Sequence, residues 1–163
     1  FGNSGSGKST LAKELVLKHN LGHLDLDNVA WKPISPPERM PILDSEQLIT
    51  DFLTSNSRWV IEGCYSDLLE LVIPMASDVI FLNLPINECI ENAKRRPWEK
   101  HKYQSKEEQD ANLEMLVDWI SMYDIREDTF SKVAHKKLFD SFKGTKTMFI
   151  SNERCIQQGS NGQ

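Results

Sequence analysis

Apolar residues recur at helical spacing in several segments of this chain, and shorter apolar runs separate those segments. After Lys8, for example, Leu11, Leu15 and Val16 fall on one helix face. Ser105 and Glu108 form the capping-box pattern that opens a helix, and Gly144 is placed to end one. The pattern predicts helices over residues 8–20, 45–53 with Asp44 as N-cap, 86–96, from 105 onward, and 130–142.

The shorter apolar runs predict β-strands over residues 23–27, 59–62, 78–84 and 146–150. Strands that alternate with helices are typical of an α/β fold with a parallel sheet. Ligands in such folds bind at the carboxyl ends of the strands. The predicted strand ends carry Asp25 and Asp27, Glu62 and Gly63, Asn83, and Ser151 and Asn152.

A glycine-rich loop at residues 2–9 is the strongest chemical signal, because it fits G-x-x-x-x-G-K-[ST] at every fixed position. Glycines let backbone N–H groups surround phosphate oxygens, and the next helix directs its positive end at the same anion. Lys8 is predicted to contact the outer phosphates and Ser9 to bind Mg²⁺. The alternative is a plain Ser/Gly turn, but the helical pattern begins directly after Lys8. The predicted nucleotide-binding residues are Gly2, Asn3, Ser4, Gly5, Ser6, Gly7, Lys8, Ser9 and Thr10.

The loop opens the sequence, with only Phe1 before it. A phosphate loop joins a buried strand to a helix, so about five apolar residues are expected ahead of Phe1. With 163 residues the chain suits one domain with a sizeable core. We therefore expect a single P-loop kinase-like domain over residues 1–163, with its first strand missing from the sequence.

Two acids, Asp25 and Asp27, stand at the end of a predicted strand. If the strand ends at Asp25, both carboxylates face the phosphate site from the neighbouring strand. Asp25 is then predicted to lie near Mg²⁺, and Asp27 to accept the proton of a substrate hydroxyl. The alternative is a solvated turn in which Asp27 and Asn28 start the next segment.

Six potential cations are concentrated in residues 94–102. Pro97 and Trp98 end the preceding helix there, so the run enters a loop. This favours a mobile lid whose arginines, Arg96 above all, clamp the transferring phosphoryl group. The alternative is a solvated helix end. Arg126 is a second candidate, and an ion pair with Glu127 or Asp128 is its alternative. The lid would span about residues 95–126.

Composition narrows the function classes. The net charge of −5 and the pI near 5.4 argue against a general nucleic-acid binder. No apolar run reaches the roughly 20 residues that cross a bilayer. Three widely spaced cysteines without metal-ligand spacing are typical of reduced thiols, so we expect a cytoplasmic protein.

These motifs resemble the small P-loop kinases related to adenylate kinase and shikimate kinase. Residues 2–10 match the phosphate loop, and residues 25–27 are similar to the D-x-D of shikimate and gluconate kinases. Residues 60–63 resemble the strand and D-G of adenylate kinases, with Glu in place of Asp. Arg95-Arg96-Pro97 resembles the lid motif of shikimate kinases, and Arg126 falls about where a second lid arginine would lie. The resemblance implies a three-layer αβα sandwich with a five-stranded parallel sheet, a helical lid, and ATP and Mg²⁺ as cofactors.

A closer resemblance is to the bacterial adenylate kinase-related proteins of the topology modulation type. Their pattern is similar to His23-Leu24-Asp25 followed by Trp31-Lys32-Pro33, and to residues 59–63 leading into Tyr65-Ser66. Adenylate kinases carry an aromatic residue, Pro and Arg where this chain has residues 64–66, so the arginine for a monophosphate is absent there. Arg39 or Arg58 is a candidate for the acceptor-binding arginine of shikimate kinases.

The sequence thus predicts ATP- and Mg²⁺-dependent phosphoryl transfer to a small hydroxyl-bearing metabolite. One alternative is a nucleoside or nucleotide kinase. Another is a nucleotide-dependent binding protein that changes partners without turning over a metabolite. No N-K-x-D motif follows the loop, which argues against a GTPase, and no apolar run ends in Asp-Glu, which argues against an AAA-type motor. We expect a monomer or dimer. The predicted catalytic residues are Lys8, Asp27, Arg96 and Arg126, and the predicted Mg²⁺ ligands are Ser9 and Asp25.

Overall fold

Four short parallel strands organise the part of the chain that the computed structural model describes, residues 1–100 and 102–154. They are β1 (Gly22–Asp25), β2 (Trp59–Glu62), β3 (Asp78–Leu82) and β4 (Thr145–Phe149). β1 pairs with β2 and places Asp25 opposite Glu62, while β3 pairs with β4. Within the described residues the strands therefore form two two-stranded parallel sheets.

Phe1 and Gly2 lie beside β3 and extend its pairing. The Phe1 amino group donates to the Ile80 carbonyl at 2.9 Å, and the Leu82 N–H donates to the Phe1 carbonyl at 2.8 Å. Gly2 forms a parallel bridge with Leu82. This pairing fixes the start of the glycine-rich loop at the carboxyl end of β3.

A groove of about 590 Å³ runs between β2 and β3, and both strands line it. Leu11 and Leu15 of the first helix and Val72 of the fourth contribute to its walls, and Phe1 closes one end. The lining residues of the groove are mainly apolar, so its surface is suited to burial.

Eight α-helices surround the strands in the described ranges. They are α1 (Lys8–His19), α2 (Asp27–Ala30), α3 (Ile42–Ser55), α4 (Ser66–Val72), α5 (Ile86–Lys94), α6 (Lys106–Ala111), α7 (Leu113–Ser121) and α8 (Lys132–Ser141). Single 3₁₀ turns at Ile73–Met75 and Met122–Asp124 follow α4 and α7. None of the helices in these ranges is long and apolar enough to cross a membrane.

The helix ends explain where the sequence prediction was right and where it was wrong. Ser105 is the N-cap of α6, and its hydroxyl accepts from the Glu108 N–H as the capping-box pattern predicted. α3 begins at Ile42 after Pro41, so Asp44 lies in its first turn and is not its N-cap. Proline fixes the backbone φ angle at the entrance of a helix. The helix therefore starts at Ile42, three residues earlier than predicted.

Two further elements differ from the prediction. The long helix expected after Ser105 is interrupted at Asn112, whose side-chain amide donates to the Glu108 carbonyl at 2.8 Å and so competes with the regular backbone pattern. Helix α4 was not predicted, since its seven residues are too few to show a clear period. The strand expected over residues 23–27 ends at Asp25, because the Asp25 carboxylate accepts from the Asp27 N–H at 2.9 Å and turns the chain into α2.

Buried apolar residues form two clusters, one on each side of the glycine-rich loop. The first joins α2, α3, α4 and α8 through Leu26, Val29, Ala30, Ile49, Tyr65, Leu68, Leu69, Val72 and Leu138. The second joins α1, β3, α5 and α7 through Leu11, Leu82, Leu84, Cys89, Ala93 and Ile120. Phe1, just before the loop, packs against the first cluster, and Leu11, in the helix just after it, belongs to the second, so the loop connects the two.

Candidate nucleotide and acceptor site

The glycine-rich loop adopts a conformation that its glycines make accessible. Gly5 and Gly7 have φ values of 74° and 86°, in the left-handed region that side chains rarely adopt. A Cβ atom at Gly5 would also overlap the backbone carbonyl of Cys89 in α5. Position 5 therefore admits only glycine, for reasons of both backbone angle and space.

Side chains distant in sequence anchor this loop. The buried Asn3 amide donates to the Ile120 carbonyl at 3.1 Å, and the Asn92 amide of α5 donates to the Gly5 carbonyl at 2.8 Å. Lys8 spans the loop, with its Nζ atom donating to the Asn3 carbonyl at 2.7 Å. These contacts fix the conformation of the loop, and the Lys8 side chain folds back against it.

Helix α1 begins at Lys8, directly after the loop, and its 12 residues give it a full set of N-terminal N–H groups. Those groups have no carbonyl partner within the helix, and the helix dipole favours negative charge in front of them. Ser9 and Thr10 follow Lys8 in this first turn. Loop and helix together provide the usual surroundings of a bound phosphate.

A cavity of about 620 Å³ opens over the loop and the first turn of α1. Its wall holds six cationic side chains and a single carboxylate, that of Glu99, so it suits a multiply charged anion. Its size is within the range of small-ligand and cofactor sites. The lining residues are Gly5, Gly7, Lys8, Ser9, Thr10, Lys13, Asn92, Arg95, Arg96, Pro97, Trp98, Glu99, Lys100, Asn152 and Arg154.

The two candidate arginines of the lid occupy different places. Arg96 lines the cavity opposite the loop, where its Nη1 atom lies 3.0 Å from the Glu99 carboxylate. Arg126 lies outside the cavity wall, pairs with Asp128 at 2.8 Å, and stacks over the Trp119 ring at 3.6 Å. The structure thus shows for Arg126 the ion pair that was the alternative to a catalytic role.

Arg154 and Asn92 belong to the cavity, and sequence reasoning missed both. The Nη2 atom of Arg154 donates to the Gly7 carbonyl at 3.3 Å. Its Nη1 atom is buried and makes no hydrogen bond within the described residues, and the nearest carboxylate, that of Glu14, is 3.9 Å away. Arg154 is 147 residues from Gly7 in sequence, and no motif marks it. Asn152, at a predicted strand end, also lines the cavity.

Three carboxylates lie together where β1 and β2 end. Asp25 and Glu62 are register partners, and Asp27 opens the short helix that follows. Burial raises the pKa of Asp25, and the negative charges of Asp27 and Glu62 raise it further. This excess of negative charge favours a cation at the strand ends.

Asp27 is held by hydrogen bonds on both of its oxygens. The Tyr65 hydroxyl donates to Oδ1 at 2.6 Å, and Tyr65 in turn accepts from the Trp31 indole N–H at 2.7 Å. Lys102, from the lid segment, lies 3.3 Å from Oδ2. Burial alone would raise the pKa of Asp27, but the Tyr65 hydrogen bond and the Lys102 charge lower it, and the charge of Lys8 adds to them. Lys102 and Lys8, which are far apart in sequence, therefore both act on this carboxylate.

The carboxylates at the strand ends are oxygen donors of the kind that Mg²⁺ prefers. Within the described residues, no three His, Cys, Asp or Glu side chains could hold a metal by themselves. Mg²⁺ is usually held by one or two protein oxygens, with water and phosphate oxygens completing its shell. Ser9 in the first turn of α1 and Asp25 at the end of β1 are the predicted protein ligands.

Comparison with known proteins supports a nucleotide-binding P-loop domain. Residues 1–113 match the AAA domain family, which is P-loop NTPase-like and includes kinases. The chain is also 29% identical over 137 residues to Uncharacterized protein YqaC of Bacillus subtilis (strain 168), an alignment that covers 76% of this chain and 70% of that protein. Since the family match spans more than half of the chain and includes the phosphate loop, this protein belongs to the AAA domain family.

Proposed function

We propose that this protein transfers the γ-phosphoryl group of ATP, with Mg²⁺, to a hydroxyl group of a small acceptor. The observation that carries the proposal is the position of Asp27, which both the lid residue Lys102 and the loop residue Lys8 influence. A protein that only binds and releases a nucleotide needs the cationic cavity and a carboxylate for Mg²⁺, but it has no need of a second carboxylate that can take a proton. A kinase needs both carboxylates.

The nucleotide is bound by the loop amides, the first turn of α1 and the cationic wall. Lys8 exchanges the Asn3 carbonyl for the outer phosphates as the nucleotide enters. Mg²⁺, when bound, neutralises phosphate charge and orients the terminal phosphate. Ser9 and Asp25 are the residues that would hold it.

Asp27 receives the proton of the acceptor hydroxyl. Its Oδ1 atom is committed to Tyr65, so Oδ2, now in contact with Lys102, is the oxygen that takes the proton. The acceptor oxygen forms its bond to the γ-phosphorus as the bond from that phosphorus to the β,γ-bridging oxygen breaks, and ADP leaves. Such a positioned base typically contributes about 10²- to 10⁴-fold in rate.

Arg96 supplies positive charge to the transferring group as the lid closes, since it already faces the loop across the cavity. Arg126 would join it only by exchanging Asp128 for a phosphate oxygen. We therefore assign the larger part of this role to Arg96.

We also propose that the four strands belong to one five-stranded parallel sheet of a single kinase-like domain. The support is the groove between β2 and β3, which both strands line, together with the pairing of Phe1 and Gly2 to β3 at the end of that groove. One more parallel strand there would pair with both edges. The closer resemblance to topology modulation proteins is compatible with this arrangement, but it names no acceptor.

The proposal is tested by ADP release from Mg-ATP with a panel of acceptors. The panel holds nucleosides, nucleoside monophosphates, shikimate, gluconate and related hydroxy compounds. Release that an acceptor stimulates, and that Lys8→Ala abolishes, would establish a kinase. Tight ATP binding with no stimulation by any acceptor would contradict the proposal and favour a nucleotide-dependent binding protein.

A further inference from the structure

Beside Asp27, aromatic rings and arginine side chains pack against one another in a continuous row. Arg39 lies 5.0 Å from the centre of the Tyr65 ring and 5.7 Å from that of Trp31. Tyr65 packs edge-on against Phe130 at 5.3 Å, and Phe130 packs against Trp119 at 5.2 Å. We call this row of side chains the aromatic wall. It consists of Trp31, Arg39, Tyr65, Phe130, Arg126 and Trp119.

Arg39 already uses its positive charge within the wall. Its Nη2 atom lies 2.9 Å from the Asp67 carboxylate, and its Nε atom donates to the Ala30 carbonyl at 3.2 Å. Its guanidinium group also stacks on three rings. An anionic acceptor that used Arg39 as its anchor would therefore compete with the Asp67 carboxylate for the same positive charge.

Arg126 is committed in the same way. Two of its guanidinium nitrogens donate to one Asp128 oxygen, at 2.8 and 3.1 Å, and its face covers the Trp119 ring. Its side chain is 14% exposed. Arg126 thus stiffens the wall and offers little charge to a ligand.

The remaining charges near the wall are mainly negative. Asp25, Asp27 and Glu62 lie at the strand ends, and Lys102 is paired with both Asp27 and Glu99. Even with Mg²⁺ held at Asp25, a carboxylate or phosphate on the acceptor would lie close to the Asp27 carboxylate, and like charges repel. The cavity over the phosphate loop has the opposite balance.

We infer that the acceptor is an electrically neutral alcohol that carries a flat or apolar ring. This inference rests on the proposed phosphoryl transfer, and it names the substrate class. The ring lies against Trp31, whose side chain is 36% exposed beside Asp27, while a hydroxyl group replaces Lys102 at Oδ2 of Asp27. Rings that stack on tryptophan gain both apolar burial and favourable ring geometry.

Matched pairs of acceptors that differ mainly in charge test this inference. Each nucleoside is compared with its 5′-monophosphate, shikimate with its methyl ester, and gluconate with sorbitol. We measure kcat/KM for each, and also binding by calorimetry with Mg²⁺ and a non-hydrolysable ATP analogue. We expect at least a tenfold preference for the neutral member of the ring-bearing pairs, and a smaller one for the open-chain pair.

Two variants of Trp31 distinguish the contribution of its aromatic ring from that of its hydrogen bond to Tyr65. Trp31→Ala should raise the KM of the preferred acceptor about tenfold, with the KM of Mg-ATP unchanged, while Trp31→Phe should keep the acceptor KM within about threefold because it keeps a ring. Leu17→Ala, on the exposed side of α1, is the control for loss of an apolar side chain. A general weakening of the fold would not split the two KM values in this way.

The outcomes distinguish the inference from the function on which it rests. A preference for the anionic members, lost in Arg39→Ala or Arg126→Ala, would overturn the inference and leave the kinase intact. Binding of neutral acceptors without phosphoryl transfer would support the inference and contradict the proposed function. If no member of any pair is bound or phosphorylated, both are wrong.

Discussion

The cavity over the phosphate loop and the aromatic wall beside Asp27 treat charge in opposite ways. In the cavity, six cations face one carboxylate, and a buried nitrogen of Arg154 makes no hydrogen bond within the described residues. In the wall, Arg39 and Arg126 each have a carboxylate partner and an aromatic ring. A surface built for a highly charged ligand leaves charge uncompensated, whereas a surface for a neutral ligand neutralises its own.

This difference in charge should affect how much each ligand stabilises the folded protein. Charges that are crowded or unpaired in the empty protein destabilise it, and a ligand that pairs with them relieves the cost. Mg-ATP should therefore raise the stability of the protein, by about 2.7 kcal/mol at a concentration a hundred times its dissociation constant.

Removing the central cation of the cavity should have the largest effect. Lys8→Ala should lower kcat by about 10³-fold, because Lys8 is the charge placed to meet the outer phosphates. Steady-state ADP release measures this, and a melting curve checks the fold. Lys18→Ala, on the exposed end of the same helix, is the matched control. If Lys8→Ala is nearly as active as the control, the cavity is not the site that binds the phosphates of ATP.

On the acceptor side, Asp27→Asn should lower kcat by about 10²-fold, since the amide keeps the shape but cannot take the proton. The affinity for Mg-ATP should change less than threefold, which separates the two regions. Asp118→Asn, an exposed change on α7, is the control. If ATP affinity falls as much as kcat does, Asp27 serves the nucleotide and not the acceptor.

The two lid arginines sharpen the comparison further. We expect Arg96→Ala to lower kcat by about 30-fold, because Arg96 faces the loop across the cavity, and Arg126→Ala by less than tenfold. Parallel kinetics with saturating Mg-ATP compare them. Equal losses would mean that Arg126 leaves Asp128 and reaches the phosphoryl group during turnover.

His135 tests whether a buried group away from both surfaces is kept neutral. It is fully buried between the Tyr123 hydroxyl and the Cys64 carbonyl, and burial lowers its pKa from 6.5 to about 3. Between these values the unfolded chain binds the extra proton, so stability falls as pH falls, by about 1.4 kcal/mol per pH unit. Denaturant unfolding between pH 6 and pH 5 measures this slope. His135→Gln should flatten it, and an unchanged slope would refute the account.

Local sequence patterns predicted the parts of the molecule that depend on near neighbours. The phosphate-loop motif and the spacing of Leu11 and Leu15 predicted α1, and the apolar run predicted a strand over residues 78–84, of which β3 forms the first five residues. The Ser105 cap was equally readable, because its partner is three residues away. In each case the deciding contacts lie within one turn or one strand.

Contacts between distant segments could not be read in this way. Trp31 and Tyr65 form a hydrogen-bonded chain to Asp27, and its two bonds join residues that are 34 and 38 positions apart in sequence. Arg154 reaches Gly7 across 147 residues. The charge state of a site depends on such pairings, so composition alone could not tell the cationic cavity from the self-neutralised wall.

Helix α5 carries a further consequence. Its Cys89 carbonyl occupies the space that a side chain at Gly5 would need, its Asn92 amide grips the Gly5 carbonyl, and its last turn leads directly into Arg95 and Arg96. The phosphate loop therefore packs directly on the helix from which Arg95 and Arg96 follow. A substitution in α5 should accordingly disturb the loop and the cationic wall of the cavity together, although Gly5 and Asn92 are 87 positions apart in sequence.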